Sequence, residues 1–269
     1  RCKEVEAEPN NHLDLWSRNH YKSTIITFGK SLQDILASHG ENPLSEWDRE
    51  VTIGIFSATR PLAKGFLRQI KQELESNKLL KSLFPDILYD KPQSQATKWS
   101  EDEGIIVKRK GNPKEATIEA WGLIDGMPVG KHFFLMVYDD VVTDGNVTTP
   151  EMIAKTTEKW ELSSNLGTSG GLTRYIGTRY HFNDTYQVML DKQIATPRIY
   201  PCTDDGTAEG KPVLMSDDDL QKKRKLMGEY IFSCQLLLNP TASSLQNFKE
   251  NWLKYYGGWS RAYTGNIYI

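Results

Sequence analysis

Two short apolar runs constrain this chain more than any other feature in it. Residues 51–56 read VTIGIF and residues 132–138 read HFFLMVY. Each has the length and β-branched or aromatic content of a strand, and neither alternates with polar residues as a strand with one wet face would. Strands of this kind are covered on both faces, as in parallel sheets flanked by helices. The segments between them carry helical spacing. Residues 23–37 place Ile26, Leu32, Ile35 and Leu36 at apolar positions, and residues 61–80 place Leu62, Phe66, Ile70 and Leu74 on one face. Further helices are predicted over 150–162 and 184–192, and shorter strands over 12–16, 105–108, 117–122 and 172–178. The alternation predicts an α/β fold with a mostly parallel sheet covered by helices. Residues 1–200 form its core on this reading.

After Arg198 the character changes. Residues 203–212 are acidic and glycine-rich, and Ser216 opens a helical stretch whose first turn holds Asp217, Asp218 and Asp219, where the helix dipole favours negative charge. Asn239-Pro240 ends that stretch. Residues 201–247 are therefore expected to form a small helical lid, and the aromatic-rich residues 248–269 a linker.

Composition narrows the function classes. The 269 residues carry a net charge of −2, so any nucleic-acid contact must come from a local patch. The lysine- and arginine-rich stretches at 108–114 and 221–225 are read as solvated faces, with contact to phosphate backbones as the alternative. Cys2, Cys202 and Cys234 form no C-x-x-C pair and the five histidines show no ligand spacing, so neither a zinc site nor a disulfide framework is expected. No run reaches the length of a membrane span, and no signal peptide is seen. The chain opens on Arg1 rather than Met, so an upstream piece is expected to be missing.

Sites in parallel sheets lie at the carboxyl ends of strands. Three such ends carry complementary chemistry here. Residues 16–24, WSRNHYKST, follow the first strand and end like a phosphate-binding loop, whose pattern is G-x-x-x-x-G-K-[ST]. Asp139-Asp140 follows HFFLMVY, and Gly177-Thr178 follows LTRYI. Lys22 is the expected cation for the β- and γ-phosphates of ATP. Ser17, Arg18, Asn19, His20, Tyr21, Lys22, Ser23 and Thr24 form the expected cradle. Ser23 and Asp139 are the expected holders of Mg²⁺, and Asp140 the group that polarises the attacking water. Arg18 adds a guanidinium able to grip a phosphate oxygen pair. Taken singly, each has a plainer reading: a polar helix start for Lys22-Ser23-Thr24, a turn for the aspartates, a solvated loop arginine. Both pattern glycines are absent. Trp16 and Tyr21 stand in their places, and a Tyr resists the positive φ that the second position often needs. The loop either takes another path or presents the phosphate on the side away from Tyr21.

The stretch SRNHYKST resembles the deviant Walker A of the large terminase subunits of tailed bacteriophages. FSATRPLAK at 56–64, the run ending Tyr138-Asp139-Asp140, and Gly177-Thr178-Arg179-Tyr180-His181, similar to that family's coupling motif, agree in order. The resemblance runs from about His12 to Tyr256. It implies a P-loop NTPase of the ASCE, RecA-like class that hydrolyses ATP to drive double-stranded DNA into a procapsid. It implies as partners the portal protein, the small terminase subunit and further copies in a ring, usually of five, with the free chain mostly monomeric. The place would be the cytoplasm of an infected bacterial host. Gly177, Thr178 and Arg179 would couple the γ-phosphate state to the lid. Lys131, the one fixed cation in the stretch before the second carboxylate strand, would be the candidate for reaching a neighbour's site. A nuclease normally follows, and residues 266–269 resemble the start of its first strand, so no cutting activity is expected of this chain. A P-loop helicase and a non-hydrolysing nucleotide-binding module remain the alternatives.

Overall fold

The computed structural model describes residues 1–37 and 50–240. In chain order these form α1 (Cys2–Ala7), β1 (His12–Trp16), a π-helix (Thr24–Lys30) continuing into α2 (Ser31–Ala37), β2 (Ile53–Ser57), α3 (Arg60–Ser76), α4 (Lys78–Leu83) and α5 (Pro92–Gln95). There follow β3 (Trp99–Ser100), β4 (Gly104–Ile105), β5 (Ile118–Gly122), β6 (Phe133–Asp139), α6 (Pro150–Ser163), β7 (Gly167–Gly177), α7 (Thr185–Asp191), β8 (Thr196–Tyr200), α8 (Asp217–Leu226) and α9 (Glu229–Gln235).

The strands make one sheet in the order β3-β4-β5-β2-β6-β7-β1-β8. From β5 to β8 every pairing is parallel; β3 and β4 add an antiparallel edge. The expected α/β class with a mostly parallel sheet is thus observed, and it is consistent with a Rossmann- or RecA-like fold. Side chains alternate across the sheet because successive Cβ atoms point to opposite faces. On β6, Leu135 and Val137 join Ile53 and Ile55 of β2, Ile26, Ile35 and the α3 residues Leu67, Ile70 and Leu74 in one core. Phe133, Met136 and Tyr138 join Leu13, Leu15, Trp160, Tyr186 and Met189 in the core on the other face. There Phe56, Tyr138 and Tyr175 stack across three neighbouring strands, with ring centroids 5.2 and 5.1 Å apart. Such cross-strand aromatic pairs fix the register of β2, β6 and β7.

Several expectations are corrected. The helix predicted over 61–80 breaks at Asn77, whose side chain accepts from the Leu80 N–H and caps α4. Its buried face is Ala63, Leu67, Ile70 and Leu74, and Leu62 is exposed. Apolar residues stand at both 62/63 and 66/67, so periodicity alone left the phase open; the small Ala63 is what faces the sheet. The predicted strand at 105–108 shrinks to Gly104–Ile105, because the backbone leaves the ladder there: the Val107 N–H donates to Thr117 Oγ1 and the Lys108 N–H to the Ile87 carbonyl. The expected continuous helix after Ser216 is interrupted at Met227-Gly228. Ser216 does cap α8, accepting from the Asp219 N–H at 3.1 Å. Strand β8 and helix α1 were not anticipated. Both are held by buried arginines: Arg198 of β8 pairs with Asp14 at 2.6 Å and donates to the Glu8 carbonyl, while Arg174 of β7 pairs with Asp34 and donates to the Pro9 carbonyl. Charged residues inside a sheet give no periodic signal, so the pattern hid them.

Past β8, Cys202, Leu220, Phe232 and Leu236 form a small core of their own. The expected linker at 248–269, the end of the expected lid at 241–247 and the strand start at 266–269 lie outside the described residues. No helix among the described residues is long and apolar enough to cross a membrane.

Candidate functional site

Parallel strands bring their carboxyl ends to one edge. The register sets Leu15 beside Gly177, and Ile176 beside both Asp14 and Asp139. The loop after β1, the aspartates after β6 and the turn after β7 therefore open onto the same edge. Between β1 and β6 lies one strand, β7.

The loop then turns back into a helix. Its path uses the left-handed region twice, at Asn19 (φ 65°) and at Tyr21 (φ 59°). Asn enters that region readily, whereas for Tyr the conformation is strained by about 1–2 kcal/mol. The backbone thus takes positive φ where the pattern has its second glycine, although the residue is tyrosine, and the Tyr21 ring is turned out to solvent, 64 % exposed. The helix that follows starts as a π-helix rather than the regular one expected over 23–37. The Ile25 N–H donates to the Tyr21 carbonyl at 2.9 Å, which ties the end of the loop to the first turn.

Lys22 is buried and its ammonium lies 3.3 Å from Asp140 Oδ1. That oxygen is buried and makes no hydrogen bond, and the Lys22 ammonium is its ion-pair partner. Asp140 itself sits at φ 48°, a sharp turn that carries its side chain away from the line of β6; its N–H donates to the Ile176 carbonyl. Asp139 has no exposed surface. Ser23 Oγ donates to its Oδ1 at 3.1 Å, and Thr27 Oγ1 donates to its Oδ2 at 2.5 Å. Burial first, and the neighbouring Asp140 second, push the Asp139 carboxyl up to about 7, against the pull of Lys22 and of the two hydroxyls. A carboxylate with that much uncompensated charge, met by a serine hydroxyl, is a fitting donor set for a hard divalent cation. Among the described residues no cluster of three or more His, Cys, Asp or Glu side chains stands ready to hold a metal, so water and phosphate oxygens would have to complete such a site.

Arg18 leans away from Lys22. Its guanidinium donates to the Tyr180 hydroxyl and lies 5.6 Å from that ring's centre. Its N–H donates to the Gln235 carbonyl at the end of α9. A cavity of about 510 Å³ opens there, lined by Arg18, Asp144, Tyr180, Tyr230 and Ile231 among others. Tyr230 of α9 donates to the Tyr180 carbonyl, so the loop, the turn after β7 and α9 meet at Tyr180. His20 is bonded through Nδ1 to the Arg18 carbonyl, and Ser17 Oγ donates to the same oxygen at 3.3 Å. Thr24 is exposed and opens the π-helix.

In the turn after β7, Thr178 Oγ1 donates to the Trp16 carbonyl, joining that turn to the loop. Gly177 makes room for Tyr186: a Cβ there would sit 2.1 Å from the tyrosine hydroxyl oxygen. Arg179 is buried, paired with Asp184 at 3.2 Å and donating to Gln187 and to the His181 and Phe182 carbonyls. Its guanidinium is engaged within the 179–187 turn. Lys131 is likewise engaged, 2.8 Å from the buried Glu119 of β5. In the basic stretch at 108–114, Arg109 is tied to the Glu115 and Pro113 carbonyls of its own loop, and Lys114 to the Gly130 carbonyl of the loop before β6. In the stretch at 221–225, Arg224 pairs with Glu209.

The sequence reading missed Thr27, although its place four residues after Ser23 puts both on one face of a helix. It also missed Gln235 and Tyr230, which no local pattern connects with the loop. No protein-family model matches this chain, and no curated protein matches it.

Proposed function

We propose that this chain is a P-loop ATPase, and that its hydrolysis drives the translocation of double-stranded DNA as in the large terminase subunits whose motifs it resembles. The observation that carries the ATPase reading is the convergence of Lys22 and Ser23 with Asp139 and Asp140, brought from over a hundred residues away to ion-pair and hydrogen-bond distance at the carboxyl edge of a parallel sheet. Supporting it, the loop after β1 and the aspartates after β6 open onto one edge of the sheet, with only β7 between their strands. Tyr21 also holds a torsion that a phosphate-binding turn would ask of glycine. The DNA-translocating step rests on the resemblance of the loop, of Tyr138-Asp139-Asp140 and of Gly177 to His181; portal, procapsid, small subunit and ring assembly come with it.

Lys22 is held by Asp140. Triphosphate entering the loop draws the Lys22 ammonium onto its β- and γ-oxygens, helped by the positive end of the helix dipole. Asp140 loses its partner at that moment, and its freed oxygen becomes the acceptor for a proton of the attacking water. Ser23 and Asp139 would hold Mg²⁺, which when bound neutralises charge on the phosphate oxygens. Thr27 keeps the Asp139 carboxylate aimed at that place. Arg18 reaches the γ-phosphate only by leaving Tyr180, which links nucleotide occupancy to the turn at 177–181 and to α9. Gly177, Thr178 and Arg179 act in this coupling as the frame that positions Tyr180.

The reading is tested by phosphate release from ATP, with and without duplex DNA. Lys22→Ala and Asp140→Asn are each expected to fall to background. Turnover near that of the unaltered chain in both variants refutes the site. ATP binding without phosphate release favours the non-hydrolysing module, and strand displacement favours the helicase.

A further inference from the structure

Ser57 ends β2, and its hydroxyl is fully buried with no hydrogen-bond partner. An unsatisfied buried hydroxyl is unfavourable by about 1–3 kcal/mol, so its presence calls for a reason. Two other side-chain hydroxyls among the described residues share this condition, those of Ser31 and Thr168. Ser31 is two helical turns beyond Ser23 and Thr168 lies at the opposite, amino-terminal end of β7. Ser57 alone of the three stands at the carboxyl edge.

Its position there is set by the sheet. The β2–β6 register runs from Ile53 beside Leu135 to Phe56 beside Tyr138, and one further step puts Ser57 beside Asp139. Alternation puts both side chains on the same face: Ile53 and Ile55 precede Ser57, Leu135 and Val137 precede Asp139, and all four belong to the core beneath the π-helix and α3. The π-helix delivers Ser23 and Thr27 to Asp139 on that face. Both Asp139 oxygens are thereby taken by hydroxyls from the helix, and the Ser57 hydroxyl is left over on the β2 side. Lys22 is engaged with Asp140.

We infer that Ser57 is a positioning residue for the divalent cation of this site, its hydroxyl holding a water that belongs to the cation's shell on the side of Asp139 facing β2. Magnesium and manganese keep several waters when protein ligands are few, and such waters need protein partners. Groups that hold ligands from behind weaken metal affinity about 10–100-fold when removed. The inference rests on the proposed cation site at Ser23 and Asp139 and adds a residue to it.

The test is Mn²⁺ binding to the full chain in the presence of ADP, followed by electron paramagnetic resonance, together with the melting temperature in EDTA. Ser57→Ala should bind Mn²⁺ about tenfold more weakly, while its melting temperature stays level or rises, since an orphaned hydroxyl has been removed. Ser57→Thr, which keeps the hydroxyl, should restore binding to near that of the unaltered chain. Mn²⁺ affinity of Ser57→Ala within twofold of the unaltered chain overturns the inference and leaves the ATPase reading standing. A fall in melting temperature with unchanged affinity also overturns it, because the hydroxyl then has a structural partner. If the unaltered chain binds no Mn²⁺ with ADP, the cation site itself fails and the role of Ser57 fails with it.

Discussion

Replacing Asp139 by Asn should make the cation-free protein more stable while destroying its proposed activity. In the folded chain the Asp139 carboxyl is pushed from 3.8 up to about 7 by burial and by Asp140. The folded state therefore binds this proton more tightly than the unfolded state does. Stability is greatest below the unfolded value and is lost as pH rises through the window from about 4 to about 7, levelling off above it. A rise of about three pKa units at about 1.4 kcal/mol each puts the full loss on the order of 4 kcal/mol. Asn is neutral at every pH and nearly isosteric with the protonated acid. Its amide can meet Ser23 and Thr27, whose hydroxyls donate or accept. Urea unfolding in EDTA at pH 5, 6, 7 and 8 should show Asp139→Asn already the more stable by roughly 1.5 kcal/mol at pH 5, the gap widening to about 4 kcal/mol at pH 8. Added Mg²⁺ and ADP should then stabilise only the unaltered chain, by mass action. If both proteins show the same pH slope, or if the unaltered chain gains stability relative to the variant as pH rises, the account of Asp139 as a buried, undercompensated carboxylate is refuted.

Two further outcomes follow from backbone and packing. Tyr21→Gly should exceed Tyr21→Ala in stability by about 1 kcal/mol in urea unfolding, because only glycine takes φ near 59° without strain; equal stabilities would mean the loop relaxes out of that torsion. Gly177→Ala should lose about 3 kcal/mol in the nucleotide-free chain, since the added methyl meets the Tyr186 ring inside a close-packed core; a change under about 0.5 kcal/mol would return Gly177 to a purely signalling role.

How much of this was legible in the residues depends on where each signal lives. The apolar runs of β2 and β6 are short, continuous and local, so strand type, burial on both faces and the parallel class could be read directly. The boundaries of β1 were read correctly, and Ser216 as a cap, because caps and strand ends are local chemistry. The same locality gave the loop at 17–24, the aspartates at 139–140 and the turn at 177–178 as candidates, through the rule that polar groups at the carboxyl ends of parallel strands share an edge. The phase of α3 was not legible, because two adjacent apolar stripes satisfy one period and only contact with the sheet chooses between them. Strand β8 was hidden because its inward residue is Arg198, whose burial makes sense only once Asp14 is seen beside it.

By itself, then, the order of residues determined the layered α/β architecture and which strand ends carry charge, since hydrophobic period and strand length are properties of a few neighbouring residues. Tertiary structure alone decided who meets whom: that Lys22 rests on Asp140, that Thr27 joins Ser23 on Asp139, that Arg18 turns to Tyr180 and α9, and that Ser57 is left without a partner. Those meetings depend on strand order and register, which bring together residues far apart in the chain and which no local pattern encodes.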